Sequence, residues 1–166
     1  MISEAYREQQ KELHASGLYG ISGHKYATIV AQLAKQLNTT DILDYGCGQR
    51  TLEKSLGFLI RNYDPAIAEF SDSPAYPADL VVCSDVLEHI ELEHLDAVLD
   101  DLQRVTRKLA FLIIATGPAN KVLPDGRNAH LIQEGPEFWL PKIMDRFRLH
   151  AFSNLGKEFS VIGVPK

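Results

Sequence analysis

Residues 41–48, Asp-Ile-Leu-Asp-Tyr-Gly-Cys-Gly, constrain the fold of this chain more than any other stretch. Ile42 and Leu43 read as the end of a buried strand, which stops at Asp44 and breaks into a loop carrying Gly46 and Gly48. Glycine in such a loop lets backbone approach a ligand more closely than a Cβ allows. A second acid, Asp64 in Asn-Tyr-Asp-Pro, follows the next apolar run, Phe58-Leu59-Ile60. In an α/β sheet, the loop after the first strand and an acid after the second meet at the carboxyl edge, where ligands bind. An acid about twenty residues past the first strand is placed to accept hydrogen bonds from ribose hydroxyls.

The spacing argues against a pyrophosphate cradle. That motif reads G-x-G-x-x-G, and its third glycine position holds Thr51 here. The pattern is instead D-x-G-x-G, with Asp44 ahead of the first glycine. A carboxylate there repels a pyrophosphate and suits a ligand bearing ammonium and sulfonium groups.

The rest of the chain alternates helical and strand patterns. Residues 3–15 read as a helix with few apolar residues, lying on the surface or over a ligand. A break at 18–23 makes Ser22 an N-cap for a helix over 25–37, whose apolar residues are Ile29, Val30, Leu33 and Leu37. A short helix is expected at 51–56 and a strand at 58–63, and Pro65, Pro74 and Pro77 then leave room only for a turn. A buried strand at 80–84 precedes a helix over 92–106, with Asp96, Asp100, Asp101 and Arg104 on its polar side. After a strand at 109–115, the loop 116–135 exceeds ordinary connections, and such loops tend to be functional. A helix at 136–147, with Phe138 and Trp139 packing it onto the sheet, leads to a hairpin of strands at 149–153 and 158–164. The expected fold is α/β: a Rossmann-like, doubly wound, mostly parallel sheet with an antiparallel C-terminal hairpin, in three α/β/α layers. One domain is expected over 1–166, with N-terminal helices to 38 and the sheet core over 39–166.

The net charge of −5 gives no general attraction to nucleic acid or anionic membrane, although Arg104, Arg107 and Lys108 could form a local basic patch. Cys47 and Cys83 read as small buried side chains of an intracellular, cytoplasmic protein. The N-terminus is too polar for a signal peptide, and no apolar run approaches the ~20 residues of a membrane span.

Asp-Tyr-Gly-Cys-Gly (44–48), Tyr-Asp-Pro (63–65), Ala-Asp-Leu-Val-Val-Cys-Ser-Asp-Val-Leu-Glu-His (78–89) and the strand 109–115 together resemble the ordered motifs of class I S-adenosylmethionine-dependent methyltransferases. The resemblance covers about 41–116 and extends to the final hairpin. It implies S-adenosylmethionine as cofactor, its methionine portion held by Asp44, Gly46 and Gly48 and lined by Tyr45 and Cys47. By the same resemblance Asp64 holds the ribose hydroxyls, Pro65 flanks the adenine, and Ser84, Asp85 and Val86 meet the amino or sulfonium region. Two features depart from the family: Arg50 stands where a third glycine is common, and segment 65–78 is short, which makes Tyr6 and Tyr19 candidate lids.

Transfer to a hydroxyl needs a general base. Asp85, Glu88 and His89 stand at i, i+3 and i+4, so a helical turn would put them on one face beside the cofactor. His89 is the first choice of base, since an unperturbed imidazole titrates near neutrality. His130, Arg127 and Asn128 in the long loop are candidates for substrate contact. Asp85, Glu88, His89 and His130 could also gather around a divalent metal, as in small-RNA terminal 2′-O-methyltransferases and quinone-pathway O-methyltransferases, which they resemble. The metal-free reading is preferred. His14, His24, His94 and His150 read as structural or solvated. The expected partner is a small-molecule or nucleotide acceptor, with a polynucleotide disfavoured. The alternatives are a non-catalytic cofactor-binding module and a metal-assisted RNA-terminal methyltransferase.

Overall fold

The structure is a computed structural model and describes residues 2–15, 19–74 and 76–166. Leu18, part of the expected break, lies outside the described residues. In chain order the elements are α1 (Glu4–Ala15), α2 (Ala27–Leu37), β1 (Ile42–Tyr45), α3 (Thr51–Leu56), β2 (Arg61–Tyr63), β3 (Ala78–Ser84), α4 (Leu95–Val105), β4 (Thr106–Ala115), α5 (Pro136–Arg146), β5 (Phe147–Asn154) and β6 (Glu158–Pro165).

Among the described residues the sheet has six strands in the order β2-β1-β3-β4-β6-β5. The first four run parallel, while β6 is antiparallel to both β4 and β5. Every residue of β3 is buried, because helices cover both of its faces and strands flank both of its edges. On one face α4 and α5 contribute Leu95, Leu99, Leu102, Trp139 and Ile143 to the core. On the other, α2 and α3 contribute Val30, Leu33 and Leu52. The helix α1 belongs to neither layer. Its Tyr6 joins Leu123 and Ala129 of the long loop in a small separate cluster.

β1 pairs with β2 on one side and β3 on the other, so the strand order reverses at β1. Crevices at such reversals open at the carboxyl ends of the strands, and this places the site.

Four local expectations are corrected. The second strand spans only Arg61–Tyr63: Gly57 ends α3 in a left-handed conformation, and Phe58 and Leu59 are exposed on the way to the sheet. Ser22 is no N-cap, since a 3₁₀ turn over Ser22–Tyr26 runs into α2, which has no side-chain cap. Residues Leu92–His94 form a separate 3₁₀ turn with Leu92 exposed, so the long helix starts at Leu95. Asp101 is buried rather than solvated, accepting hydrogen bonds from the Tyr45 hydroxyl at 2.9 Å and Arg104 Nε at 2.8 Å.

Candidate active site

A cleft of about 840 Å³ opens over the carboxyl ends of β1 and β3. Its floor is the glycine loop. The Gly46 and Cys47 N–H groups both donate to the Tyr63 carbonyl, at 2.7 and 3.0 Å, which pins the loop to the end of β2. Gly46 has φ +84°, and a Cβ there would collide with Val86. Gly48 has φ +49°, and its Cβ would lie 2.5 Å from the Gly20 carbonyl oxygen. Arg50 takes the left-handed conformation itself, at φ +55°. Its guanidinium lies 4.9 Å from the Phe70 ring centre and 3.6 Å from Glu53, and Arg50 is not among the residues lining the cleft. The missing glycine is therefore replaced conformationally.

Asp44 and Asp64 both line the cleft and are both buried. Burial first, then the charges of Asp64 and Glu53, push the Asp44 carboxyl up to about 7. Among the described residues no cation or hydrogen-bond donor offsets this rise. Asp64 is differently placed. Its Oδ2 accepts the Gly48 N–H at 3.1 Å and its Oδ1 accepts the Ala66 N–H at 3.0 Å, so the acid also holds the loop that it faces. Pro65, Cys47, Ser84, Asp85 and Val86 line the same cleft. Asp85 has φ +52°, and its N–H donates to the Ile113 carbonyl at 3.1 Å.

The roof comes from α1 and the segment after it. Tyr6, Gln10 and His14 line the cleft, and the Tyr6 hydroxyl accepts a 2.6 Å hydrogen bond from Gln10. His14 Nε2 lies 3.9 Å from Asp64 Oδ2; burial lowers its pKa against the pull of that carboxylate. His14 thus belongs to the site, contrary to expectation. Spacing carried the signal: residues 6, 10 and 14 form one helical stripe. Tyr19, expected as a lid, lies in the wall with its hydroxyl 3.0 Å from His89 Nδ1.

At the inner end, Glu88, His89 and His130 each place a donor atom within 4.8 Å of the others. Asp85 is not in this group. The residues form no helical face, because Leu87–His89 is a 3₁₀ turn. Glu88 is fully buried, and burial with the Asp85 charge raises its carboxyl to about 8. Its Oε1 accepts the Ala115 N–H at 3.0 Å. His89 is not poised near neutrality: burial and the neighbouring His130 lower it to about 3.

Other expected residues face elsewhere. Tyr45 points into the core, where its ring meets Tyr63 and its hydroxyl meets Asp101, and it does not line the cleft. Asn128 is committed to its own loop, exchanging two 2.9 Å hydrogen bonds with Ala119. Arg127 pairs with Asp125 at 2.7 Å. The expected basic patch is neutralised, since Arg104 pairs with Asp101, Arg107 with Asp41 and Asp79, and Lys108 with Asp79. Cys47 and Cys83 are free and buried. Among the described residues no helix is long and apolar enough to cross a membrane.

The sequence model of the family described as Methyltransferase domain matches residues 18–159. No curated protein matches the sequence significantly. Among solved structures, the 1,6-didemethyltoxoflavin-N1-methyltransferase of Burkholderia thailandensis, with bound 1,6-didemethyltoxoflavin and S-adenosylhomocysteine, is similar at TM-score 0.67 and 13% identity, over 96% of this chain and 87% of that one. The DhpI–SAH complex has TM-score 0.67 and 14% identity, over 98% of both chains. Magnesium protoporphyrin IX methyltransferase (ChlM) of Synechocystis PCC 6803 has TM-score 0.59 and 15% identity, over 86% of this chain and 83% of that one. At these identities the likeness is one of fold. The family match spans most of the chain, and the protein belongs to the methyltransferase domain family, of the class I kind that its motifs resemble.

Proposed function

We propose that the protein transfers a methyl group from S-adenosylmethionine to a hydroxyl or amine of a small molecule or nucleotide. The observation that carries the reading is the buried Asp44 carboxyl, raised to about 7 by burial and neighbouring acids, beside two glycines where any Cβ would collide. That environment suits a cationic ligand lying against bare backbone, as the sulfonium and ammonium of the cofactor would. When bound, S-adenosylmethionine supplies an electrophilic methyl group.

The chain's own residues bind, orient and exclude water. Asp44 would balance the cofactor's positive charge, with Gly46, Cys47 and Gly48 forming the bed of its methionine portion. Asp64 spends one lone pair of each oxygen on the loop and keeps others for ribose hydroxyls. Pro65 would border the adenine, and Ser84, Asp85 and Val86 the sulfonium region. Tyr6, Gln10 and His14 line the cleft from α1, and Tyr19 lies in its wall. His89 and His130 line the cleft with the buried Glu88 beside them, and an acceptor would meet the two imidazoles. Holding the acceptor in line supplies several kcal/mol of barrier lowering, up to roughly ten.

A small acceptor accords with the fold neighbours, one of which holds 1,6-didemethyltoxoflavin while another is a magnesium protoporphyrin IX methyltransferase. The neutralised basic patch and the net charge of −5 speak against a polynucleotide. Arg50 adopts the backbone that a glycine would take, which removes one motive for reading the chain as a non-catalytic module.

The test is calorimetric titration with S-adenosylmethionine and S-adenosylhomocysteine, followed by turnover across a panel of small hydroxyl and amine acceptors. Binding with turnover is expected. His89→Ala should reduce turnover more than cofactor affinity, whereas equal losses would mark it as a binding residue. Absence of heat at millimolar cofactor refutes the proposal.

A further inference from the structure

Two imidazoles and one buried carboxyl stand together beside the cleft, with the Tyr19 hydroxyl 3.0 Å from His89 Nδ1. His89 Nδ1 lies 2.7 Å from the Ala129 carbonyl oxygen. A carbonyl only accepts, so Nδ1 carries the ring proton and Nε2 is left with a lone pair. His130 repeats the arrangement, with Nδ1 2.6 Å from the Gly117 carbonyl oxygen. The two rings are 4.7 Å apart and nearly perpendicular. Glu88 completes the group: fully buried, it accepts the Ala115 N–H through Oε1, while no described residue donates to Oε2. One donor atom from each of the three lies within 4.8 Å of the others.

Glu88 Oε2 is buried with no hydrogen-bond partner among the described residues, and an ion between it and the two imidazoles would satisfy it. Two imidazoles and one carboxylate suit a divalent transition ion, and zinc above the harder ions. Metal-bound histidines characteristically donate their second ring N–H to a carbonyl or carboxylate, and both rings here already do so. His89 and His130 line the cleft while Glu88 lies behind them, so a bound ion would keep an open side toward the acceptor.

We propose that Glu88, His89 and His130 form a three-ligand site for a divalent transition metal, zinc by preference, with its open coordination position facing the cleft. The metal site stands independently of the cofactor. Its use rests on the methyl-transfer reading: there it changes the three residues from bases into ligands. An acceptor hydroxyl on the open position would then release its proton to water at lower pH, as metal-bound water does.

The experiment is titration of chelator-stripped protein with Zn²⁺ alone, and separately with Co²⁺, whose visible absorption reports coordination number, in the absence of S-adenosylmethionine. The expected result is one equivalent bound at micromolar dissociation constant or tighter, a four- or five-coordinate Co²⁺ spectrum and a raised melting temperature. His130→Asn should weaken Zn²⁺ binding at least thirtyfold, while His150→Asn, on the exposed edge strand β5, should leave it unchanged. If His130→Asn melts early without metal, His89→Gln carries the same comparison. No binding to the wild type, binding undiminished in both site variants, or loss in His150→Asn overturns the proposal. Cofactor calorimetry on the same sample separates this outcome from failure of the methyl-transfer reading.

Discussion

Gly20 and Gly48 meet backbone to backbone: the Gln49 N–H donates to the Gly20 carbonyl at 2.9 Å, and a Cβ on Gly48 would reach within 2.5 Å of that oxygen. The contact ties the segment after α1 to the loop that follows β1. The roof of the cleft is thereby fastened to its floor at one end.

Gly48→Ala is expected to fail twice over. Its φ of +49° costs about 1–2 kcal/mol for any L side chain, and the clash with Gly20 adds to that. The melting temperature should fall by at least ~4 °C, with most stabilisation by S-adenosylhomocysteine lost. Gly57→Ala is the control, because Gly57 also has positive φ, at +75°, but no atom lies within 4 Å of its added Cβ. Calorimetric scans with and without ligand should show strain alone for Gly57→Ala and strain plus lost binding for Gly48→Ala.

The Asp44 carboxyl yields a pH prediction. Its pKa rises from 3.8 to about 7 on folding, so the folded protein takes up a proton more readily than the unfolded chain. Stability from this group is full below pH ~4 and is lost as pH rises toward 7, by on the order of 4 kcal/mol in total. A cationic ligand favours the ionised acid, so affinity should climb toward pH 7, with about one proton released on binding at pH 6. Calorimetry in buffers of different ionisation enthalpy measures that proton. Asp44→Asn should abolish its release, weaken binding, and melt closer to wild type at pH 5 than at pH 8, where the variant is the more stable.

Asp64 has a double duty that sequence reasoning alone assigns only to ligand. Asp64→Ala removes the acceptor of both the Gly48 and Ala66 N–H groups, and each such charge-assisted bond is worth about 1.5–3 kcal/mol. The variant should therefore lose stability as well as cofactor affinity. Asp64→Asn keeps one acceptor oxygen and should melt higher than Asp64→Ala while still binding at least tenfold more weakly than wild type. Unchanged affinity in Asp64→Asn would show that no ribose contact is made there.

Tyr45→Phe tests which way β1 directs its last side chain. The buried hydroxyl donates to Asp101 at 2.9 Å, and its loss leaves that carboxylate short of a donor at a cost of about 1–3 kcal/mol. Stability should fall while S-adenosylhomocysteine affinity stays within twofold. A large affinity loss at constant stability would place Tyr45 in the cleft after all.

The glycine loop, the two acids and the buried run of β3 were legible because each is a local pattern: a turn residue at a fixed offset, or an unbroken aliphatic stretch. The misreadings share a different physics. Phe58 and Leu59 look like strand by composition, but the left-handed end of α3 at Gly57 delivers them outside the sheet. Asp101 sits at the polar border of an amphipathic helix, and its burial is offset by Arg104 on its own helix and by a hydroxyl from β1 that no local pattern announces. His89 has the right identity for a base, yet its environment comes from His130, 41 positions later in the chain, and from the Ala129 carbonyl. Tyr6, Gln10 and His14 showed their shared stripe, but a stripe of mixed polarity does not say what it faces.

Helix α1 reaches the far loop as well as the near one: Gln9 donates to Asp125 at 3.0 Å, Ser3 meets Glu91 through its N–H and hydroxyl, and Ile2 borders the cleft. Because Ile2 itself lines the cleft, any peptide fused at this end starts beside the space an acceptor would use. Purification handles are better carried behind Lys166, which is not among the residues that line the cleft.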